Sequence, residues 1–111
     1  MTDRFYGATA VPEQYEVLQS DSPCVLHDSH TPITVVNEWH EVFPFVWQRQ
    51  MWGEVRNEKT VSVCATGHNT LHAALRHALE NNRQIPEWCV GRCRELVQEA
   101  FALHDAAAKQ I

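Results

Sequence analysis

The stretch of sequence that decides the fold is TVSVCATGHNTLHAALRHAL, residues 60–79. Its first five residues alternate in polarity and are rich in β-branched side chains, which predicts a strand over 60–64. The period then changes, because Leu71, Leu75 and Leu79 recur every four residues and form one apolar stripe, as in an amphipathic helix. We therefore expect a strand that leads directly into a helix.

Upstream, the segment 33–40 is β-branched and aromatic and predicts a further strand, which Pro44 ends. Residues 45–52 carry apolar side chains consistent with a short helix or turn, and Gly53 ends this segment.

Downstream, Asn81 and Asn82 close the long helix, and Pro86 stands where the first position of a last helix is expected. The order strand, loop, strand, helix, helix predicts an α+β fold. The chain of 111 residues is expected to form a single domain, 1–111. Its expected parts are an irregular N-terminal arm with short extended pieces (1–32), a central core (33–82) and a C-terminal helix (84–109).

The charge is acidic overall but unevenly distributed. The formal net charge is −5, which speaks against a generic nucleic-acid coat, because clustered Lys and Arg drive phosphate binding. Residues 1–37 contain five acids and one base, whereas residues 38–83 contain five of each. The neutral middle region therefore does not exclude a nucleic-acid substrate.

No stretch approaches the roughly 20 apolar residues needed to span a bilayer, so no membrane partner is expected. The first residues lack a basic segment followed by an apolar run, which speaks against a secretory signal and predicts a cytoplasmic location. In a reducing cytosol, the four cysteines are expected to be thiols or metal ligands rather than disulfides.

Histidine is the unusual residue type, with seven copies. His68 and His72 are four apart on the predicted helix, so both imidazoles point the same way and can hold one ion. His40 ends the strand that would pair antiparallel with 60–64, and a hairpin packed on the helix would bring it toward the other two. Three such ligands leave coordination positions for water and a phosphate oxygen, as metal-assisted hydrolysis requires. The alternatives are a solvated histidine pair on the helix and a hydrogen-bonded histidine at the strand end.

The segments HEVFP (residues 40–44) and CATGHNTLH (residues 64–72) resemble the signature of HNH endonucleases. The intervening segment 47–56 looks like the small HNH-type proteins of actinobacterial phages, and the resemblance covers residues 38–80. It implies a ββα-metal core and a DNA endonuclease or nickase. It also implies a divalent metal ion of the Mg²⁺ or Zn²⁺ class, with ligands His40, His68 and His72.

The catalytic positions depart from the family pattern. Where the family has a histidine that activates water, this chain has Glu41, a weak base at neutral pH unless it is desolvated. In the family an asparagine orients this base. The nearest candidate here is Asn57, which is about two residues away from the family spacing, and the simplest alignment places Lys59 at the asparagine position. Glu41 and Asn57 are the catalytic candidates that the resemblance suggests.

Other candidates surround this site. The paired cysteines of zinc-binding family members are incomplete here, because Gly67 replaces one of them. A mixed second metal site from Cys64, Cys89 and Cys93 is one expectation. The alternative is that Cys89 and Cys93 are buried residues on one helix face, poorly placed for a disulfide. The basic residues near the site that could hold phosphates are Arg49, Arg56, Lys59 and Arg76.

Three functional hypotheses follow. The first is a metal-dependent DNA endonuclease or nickase. The second is a catalytically degenerate HNH-like phage protein that binds and modulates a host protein, which the missing base histidine and the acidic arm favour. The third is a non-catalytic zinc module whose metal is needed for folding.

Overall fold

The computed structural model describes residues 19–26 and 37–110. In this part of the chain there are three strands: β1 is Gln19–Ser20, β2 is Asn37–Glu41 and β3 is Thr60–Val63. They form one antiparallel sheet in the order β1-β2-β3. The predicted antiparallel pairing of β2 and β3 is confirmed, and its register places His40 opposite Val61. The connection between the two strands is not a tight hairpin turn, because it contains a short helix, Phe45–Trp52.

The described residues also form three helices: α1 is Phe45–Trp52, α2 is Ala65–Glu80 and α3 is Gly91–Ala108. The predicted α+β class is confirmed. Of the helices in the described part of the chain, none combines the length and apolar character that a bilayer crossing requires.

The predicted change from strand to helix falls at Cys64, which is the N-cap of α2. Its sulfur accepts the backbone N–H of Gly67 at 3.2 Å and so satisfies one of the free donors in the first helical turn. The leucine stripe faces the core as expected, since Leu71 and Leu75 are fully buried and Leu79 is partly buried.

The last helix begins at Gly91, five residues later than Pro86, so the expected helical span 84–109 is corrected at its start. The segment Pro86 to Cys89 forms a turn in which the N–H of Cys89 donates to the carbonyl of Pro86 at 3.0 Å. Gly91 then adopts a φ of 58°, a left-handed conformation that glycine adopts without steric cost. Because the chain turns here, Pro86 belongs to the turn and not to a first helical position.

The predicted arm and first strand lie partly outside the described residues, namely 1–18 and 27–36. In the described part, the backbone N–H of Val25 donates to the carbonyl of Ser62 in β3 at 2.8 Å. The hydroxyl of Ser20 also donates to that of Ser62 at 2.9 Å. The segment 20–26 is therefore held against β3.

The core lies where α2 and α3 pack together and against α1 and the sheet. Its largest fully buried apolar side chains are Trp47, Phe43, Leu71, Leu75 and Leu96.

Gln48 is a polar exception within this core and is fully buried. Its amide nitrogen donates to the carbonyls of Phe43 and Asn57 at 2.9 and 2.8 Å. Its amide oxygen accepts the N–H groups of Arg56 and Asn57 at 2.8 and 2.9 Å. One side chain therefore ties α1 to the loop that leads into β3.

Candidate metal centre

Three histidines from two elements converge on one point. His40 comes from β2, and His68 and His72 come from the first two turns of α2. The ring centroids of His68 and His72 are 4.7 Å apart. The ring centroid of His40 lies 5.3 Å from that of His68 and 6.0 Å from that of His72. One nitrogen of each ring lies within 4.8 Å of the others, so the three can hold a metal ion together. This confirms the predicted grouping.

The local fold explains why these side chains meet. The β2–β3 register aligns His40 with Val61, three residues before the N-cap Cys64. The N–H of His68 donates to the carbonyl of Cys64 at 2.8 Å, which places His68 at the end of the first helical turn. His72 follows one turn later on the same helix face. A short strand-to-helix connection thus sets the distance between the strand histidine and the helix histidines.

Glu38 orients one of the imidazoles. Its Oε1 lies 2.8 Å from Nδ1 of His68, and both side chains are largely buried. A carboxylate at Nδ1 favours the tautomer that donates from this nitrogen, which leaves Nε2 as the lone-pair donor. Our sequence reasoning missed Glu38. The sequence could have indicated it, because Glu38 lies two residues before His40 in a predicted strand, and residues two apart in a strand share one face.

Replacing Glu38 with glutamine should weaken the binding of Zn²⁺ by roughly 10- to 100-fold, the usual effect of removing a carboxylate that orients a metal-binding histidine. Competition against a chromophoric chelator measures this affinity. Glu80→Gln, an exposed substitution on α2, is the control and should leave the affinity unchanged. Equal affinities of the two variants would show that Glu38 does not orient a ligand.

His40 is buried and neutral, as a metal-binding histidine must be neutral. Only 3% of its surface is exposed, and its Nδ1 is buried without a hydrogen-bond partner among the described residues. Burial, together with the nearby His68 and His72, lowers the pKa of His40 to about 3. The ring is therefore neutral at physiological pH, and neutral imidazole is the form that binds metals. An orphaned buried nitrogen among three imidazoles fits a divalent metal ion.

This lowered pKa also predicts how the stability of the metal-free protein depends on pH. The unfolded chain takes up a proton on His40 below about pH 6.5, whereas the folded chain takes it up only near pH 3. Between about pH 6.5 and pH 3 the unfolded state therefore binds more protons than the folded state. The contribution of His40 to the free energy of unfolding thus falls as the pH falls. We expect His40 to reduce the free energy of unfolding by roughly 3 kcal/mol between pH 7 and pH 4.

Urea denaturation at several pH values, in the presence of a chelator, measures this dependence. His40→Gln cannot take up the proton, so its free energy of unfolding should fall less steeply over the same range. Parallel curves for the two proteins would contradict the assignment.

Glu41 is partly withdrawn from solvent. Burial raises the pKa of its carboxyl group, and a backbone hydrogen bond, Arg49 and His68 oppose this rise. Its Oε1 accepts the N–H of Phe45 at 2.8 Å and so binds a free donor at the start of α1. Glu41 is thus partly desolvated, as a glutamate must be to act as a base at neutral pH. One of its two carboxylate oxygens, however, is already bonded to the backbone N–H of Phe45.

Asn57 has local contacts. Its side-chain oxygen accepts the N–H of Lys59 at 2.9 Å, and its backbone is bonded to Gln48. Its described hydrogen bonds reach neither Glu41 nor the histidines. The family role of orienting a base is therefore not visible at Asn57.

Two of the predicted phosphate-binding residues are paired with acids. Arg56 forms an ion pair with Glu54 at 2.9 Å, and its guanidinium lies 4.7 Å from the ring of Trp52. Lys59 forms an ion pair with Glu99 at 2.7 Å.

The other two predicted phosphate-binding residues, Arg49 and Arg76, are exposed. Arg49 acts electrostatically on Glu41, and Arg76 lies one helical turn beyond His72.

The cysteines do not form the expected mixed site. Cys64 lies beside Cys24, whose sulfur accepts the N–H of Cys64 at 3.0 Å. Cys89 and Cys93 lie together at the start of α3, with their sulfurs 3.4 Å apart. Across residues 19–26 and 37–110, the only group of three or more suitable side chains close enough to hold an ion is the histidine trio. The site predicted from Cys64, Cys89 and Cys93 is corrected accordingly, because the thiols are divided between the starts of two helices.

Comparison with known proteins gives no match: no protein-family model, no curated protein and no solved structure matches this chain. The assignment of function therefore rests on the chemistry of the histidine cluster and its surroundings.

Proposed function

We propose that the protein is an HNH-like, metal-dependent DNA endonuclease or nickase that hydrolyses phosphodiester bonds. The observation that carries this proposal is the convergence of His40, His68 and His72. The order of the elements supports it as well, since the antiparallel pair β2 and β3 is followed by α2, with ligands on β2 and α2, as a ββα-metal core requires. In this chain α1 is inserted between the two strands. The proposed compartment is the cytoplasm, that of the host if a phage encodes the chain.

The donor set indicates the class of metal. Three imidazole nitrogens suit Zn²⁺ and similar transition metals, whereas Mg²⁺ prefers oxygen ligands. A bound divalent ion would polarise the scissile phosphate and stabilise the leaving oxygen. The chain contributes a buried, neutral His40, together with a His68 whose orientation Glu38 fixes. Three protein ligands leave coordination positions open, as in catalytic rather than structural zinc sites.

Glu41 is the proposed general base. Its carboxyl group has a raised pKa because it is partly buried, which makes it a better proton acceptor than an exposed glutamate. With Oε1 accepting from Phe45, the other carboxylate oxygen would take the proton from the attacking water. Arg49 and Arg76 are the proposed phosphate contacts, because both are exposed, Arg49 acts electrostatically on Glu41, and Arg76 follows His72 by one turn of α2.

Nicking of supercoiled plasmid DNA tests this proposal, with Mg²⁺, Mn²⁺, Ni²⁺ and Zn²⁺ added separately to chelator-treated protein. We expect conversion to the nicked form with at least one of these ions. His72→Ala should abolish it. His77→Ala is the matched control, because His77 lies on the same helix but outside the cluster. Absence of cleavage with all four ions would contradict the nuclease proposal.

A second candidate function is that of a catalytically degenerate HNH-like protein that binds metal and modulates a host protein. The hydrogen bond from Phe45 to Glu41 favours it, because the residue at the base position has a structural role at the start of α1. Glu41→His separates the two candidates. Cleavage by this variant, with none by the unaltered protein, would identify a scaffold that has lost only its base.

A further inference from the structure

Two cysteines are in contact at the start of α3. Sγ of Cys89 and Sγ of Cys93 lie 3.4 Å apart. Cys89 precedes the helix, so the two are not a regular helical pair four residues apart. The turn that begins at Pro86 and the left-handed Gly91 carry Cys89 back to the first turn of α3. A disulfide bond is about 2.05 Å long, so closing it needs a movement of little more than 1 Å.

We propose that Cys89 and Cys93 are a redox-active pair that a hydroperoxide oxidises to an intramolecular disulfide. The thiolate of Cys93 attacks one peroxide oxygen, the O–O bond breaks, an alcohol or water leaves, and Cys93 becomes a sulfenic acid. The sulfur of Cys89 then attacks that of Cys93, the S–O bond breaks and water leaves. The two thiols together lose two electrons and two protons, and the peroxide is reduced by the same two electrons.

Access to solvent distinguishes this pair from the other two cysteines. Cys24, Cys64 and Cys89 are buried, whereas Cys93 is partly exposed. Cys93 is therefore the sulfur that an oxidant in solution reaches first, with Cys89 directly behind it to complete the disulfide. Burial and the neighbouring Cys89 raise the pKa of the Cys93 thiol to about 12, so the reaction is expected to be slow at neutral pH.

The disulfide would fix a turn that is otherwise held by hydrogen bonds. Nη1 of Arg94 donates to the carbonyls of Pro86 and Cys89 at 3.3 and 3.2 Å. Pro86, Trp88 and Arg94 belong to the wall of an open groove of about 770 Å³. Oxidation thus adds a covalent restraint to one wall of this groove, and we expect the Tm of the protein to rise by several degrees.

Peptide mapping of the full chain tests the proposal after prolonged treatment with hydrogen peroxide and alkylation of the remaining thiols. Trypsin cleaves after Arg92, which separates the two cysteines onto peptides 84–92 and 93–94. We expect the alkylating agent to label Cys24 and Cys64 but neither Cys89 nor Cys93, and the two peptides to be joined until a reductant is added. The increase in Tm should disappear with the same reductant.

Cys93→Ser is the matched variant: its Cys89 should be labelled by the alkylating agent, and no joined peptides should appear. Oxygen addition to the sulfurs of Cys89 and Cys93, without a link between peptides 84–92 and 93–94, would overturn the proposal. A link between peptides 5–49 and 60–76, which carry Cys24 and Cys64, in place of the expected one would also overturn it.

Discussion

Replacing His72 with alanine should weaken Zn²⁺ binding by more than about 100-fold, beyond the effect expected for an orienting residue such as Glu38. The substitution removes one of three donors, and His40 and His68 cannot supply a third nitrogen to the same ion. Competition with a chromophoric chelator measures the affinity of both proteins.

His77→Ala controls for the loss of an imidazole from the same helix, because His77 lies outside the cluster. It should bind Zn²⁺ as the unaltered protein does. If His72→Ala retained that affinity while folded, as judged by circular dichroism, His72 would not be a ligand.

Gln48→Leu should cost about 4 kcal/mol of the free energy of unfolding, a large share of the 5–15 kcal/mol typical of a small domain. The leucine keeps much of the side-chain volume but cannot replace the four hydrogen bonds to the backbone of Phe43, Arg56 and Asn57. Each lost hydrogen bond costs roughly 1 kcal/mol, and the carbonyl of Phe43, whose bond to Gln48 is buried, would carry the larger penalty of about 1–3 kcal/mol for a buried group without a partner. Urea denaturation measures the change.

Gln50→Leu is the matched control, since Gln50 lies exposed two residues away on α1. It should change the free energy of unfolding by less than about 0.5 kcal/mol. Equal destabilisation by the two substitutions would show that the bonds made by Gln48 do not stabilise the fold.

The elements that position the site could be predicted because each has a strong local signal. The alternation over 60–64 and the leucine stripe that follows describe one strand and one helix, and the structure has them with nearly the same bounds. His68 and His72 follow from the helical period alone. His40 needed only the further step that the two strands pair antiparallel.

The details that were missed depend on contacts between distant residues or on turns. In the sequence, Gln48 is indistinguishable from any polar residue of a helix. Three of its four hydrogen bonds join it to the loop before β3, which only the folded chain brings next to it. Pro86 satisfies the rule for a helix start, but the turn ending at Cys89 and the bend at Gly91 delay the helix. That same turn brings Cys89 onto Cys93, a contact that their spacing in a regular helix did not suggest.

The most direct measurement of the central claim is a crystal structure of the chain soaked with Zn²⁺, with anomalous data collected on both sides of the zinc absorption edge. We expect one strong anomalous peak between His40, His68 and His72, at about 2.0–2.1 Å from a nitrogen of each ring. Glu38 should still accept the hydrogen bond from Nδ1 of His68. An empty cluster, with zinc bound elsewhere on the chain, would contradict the account.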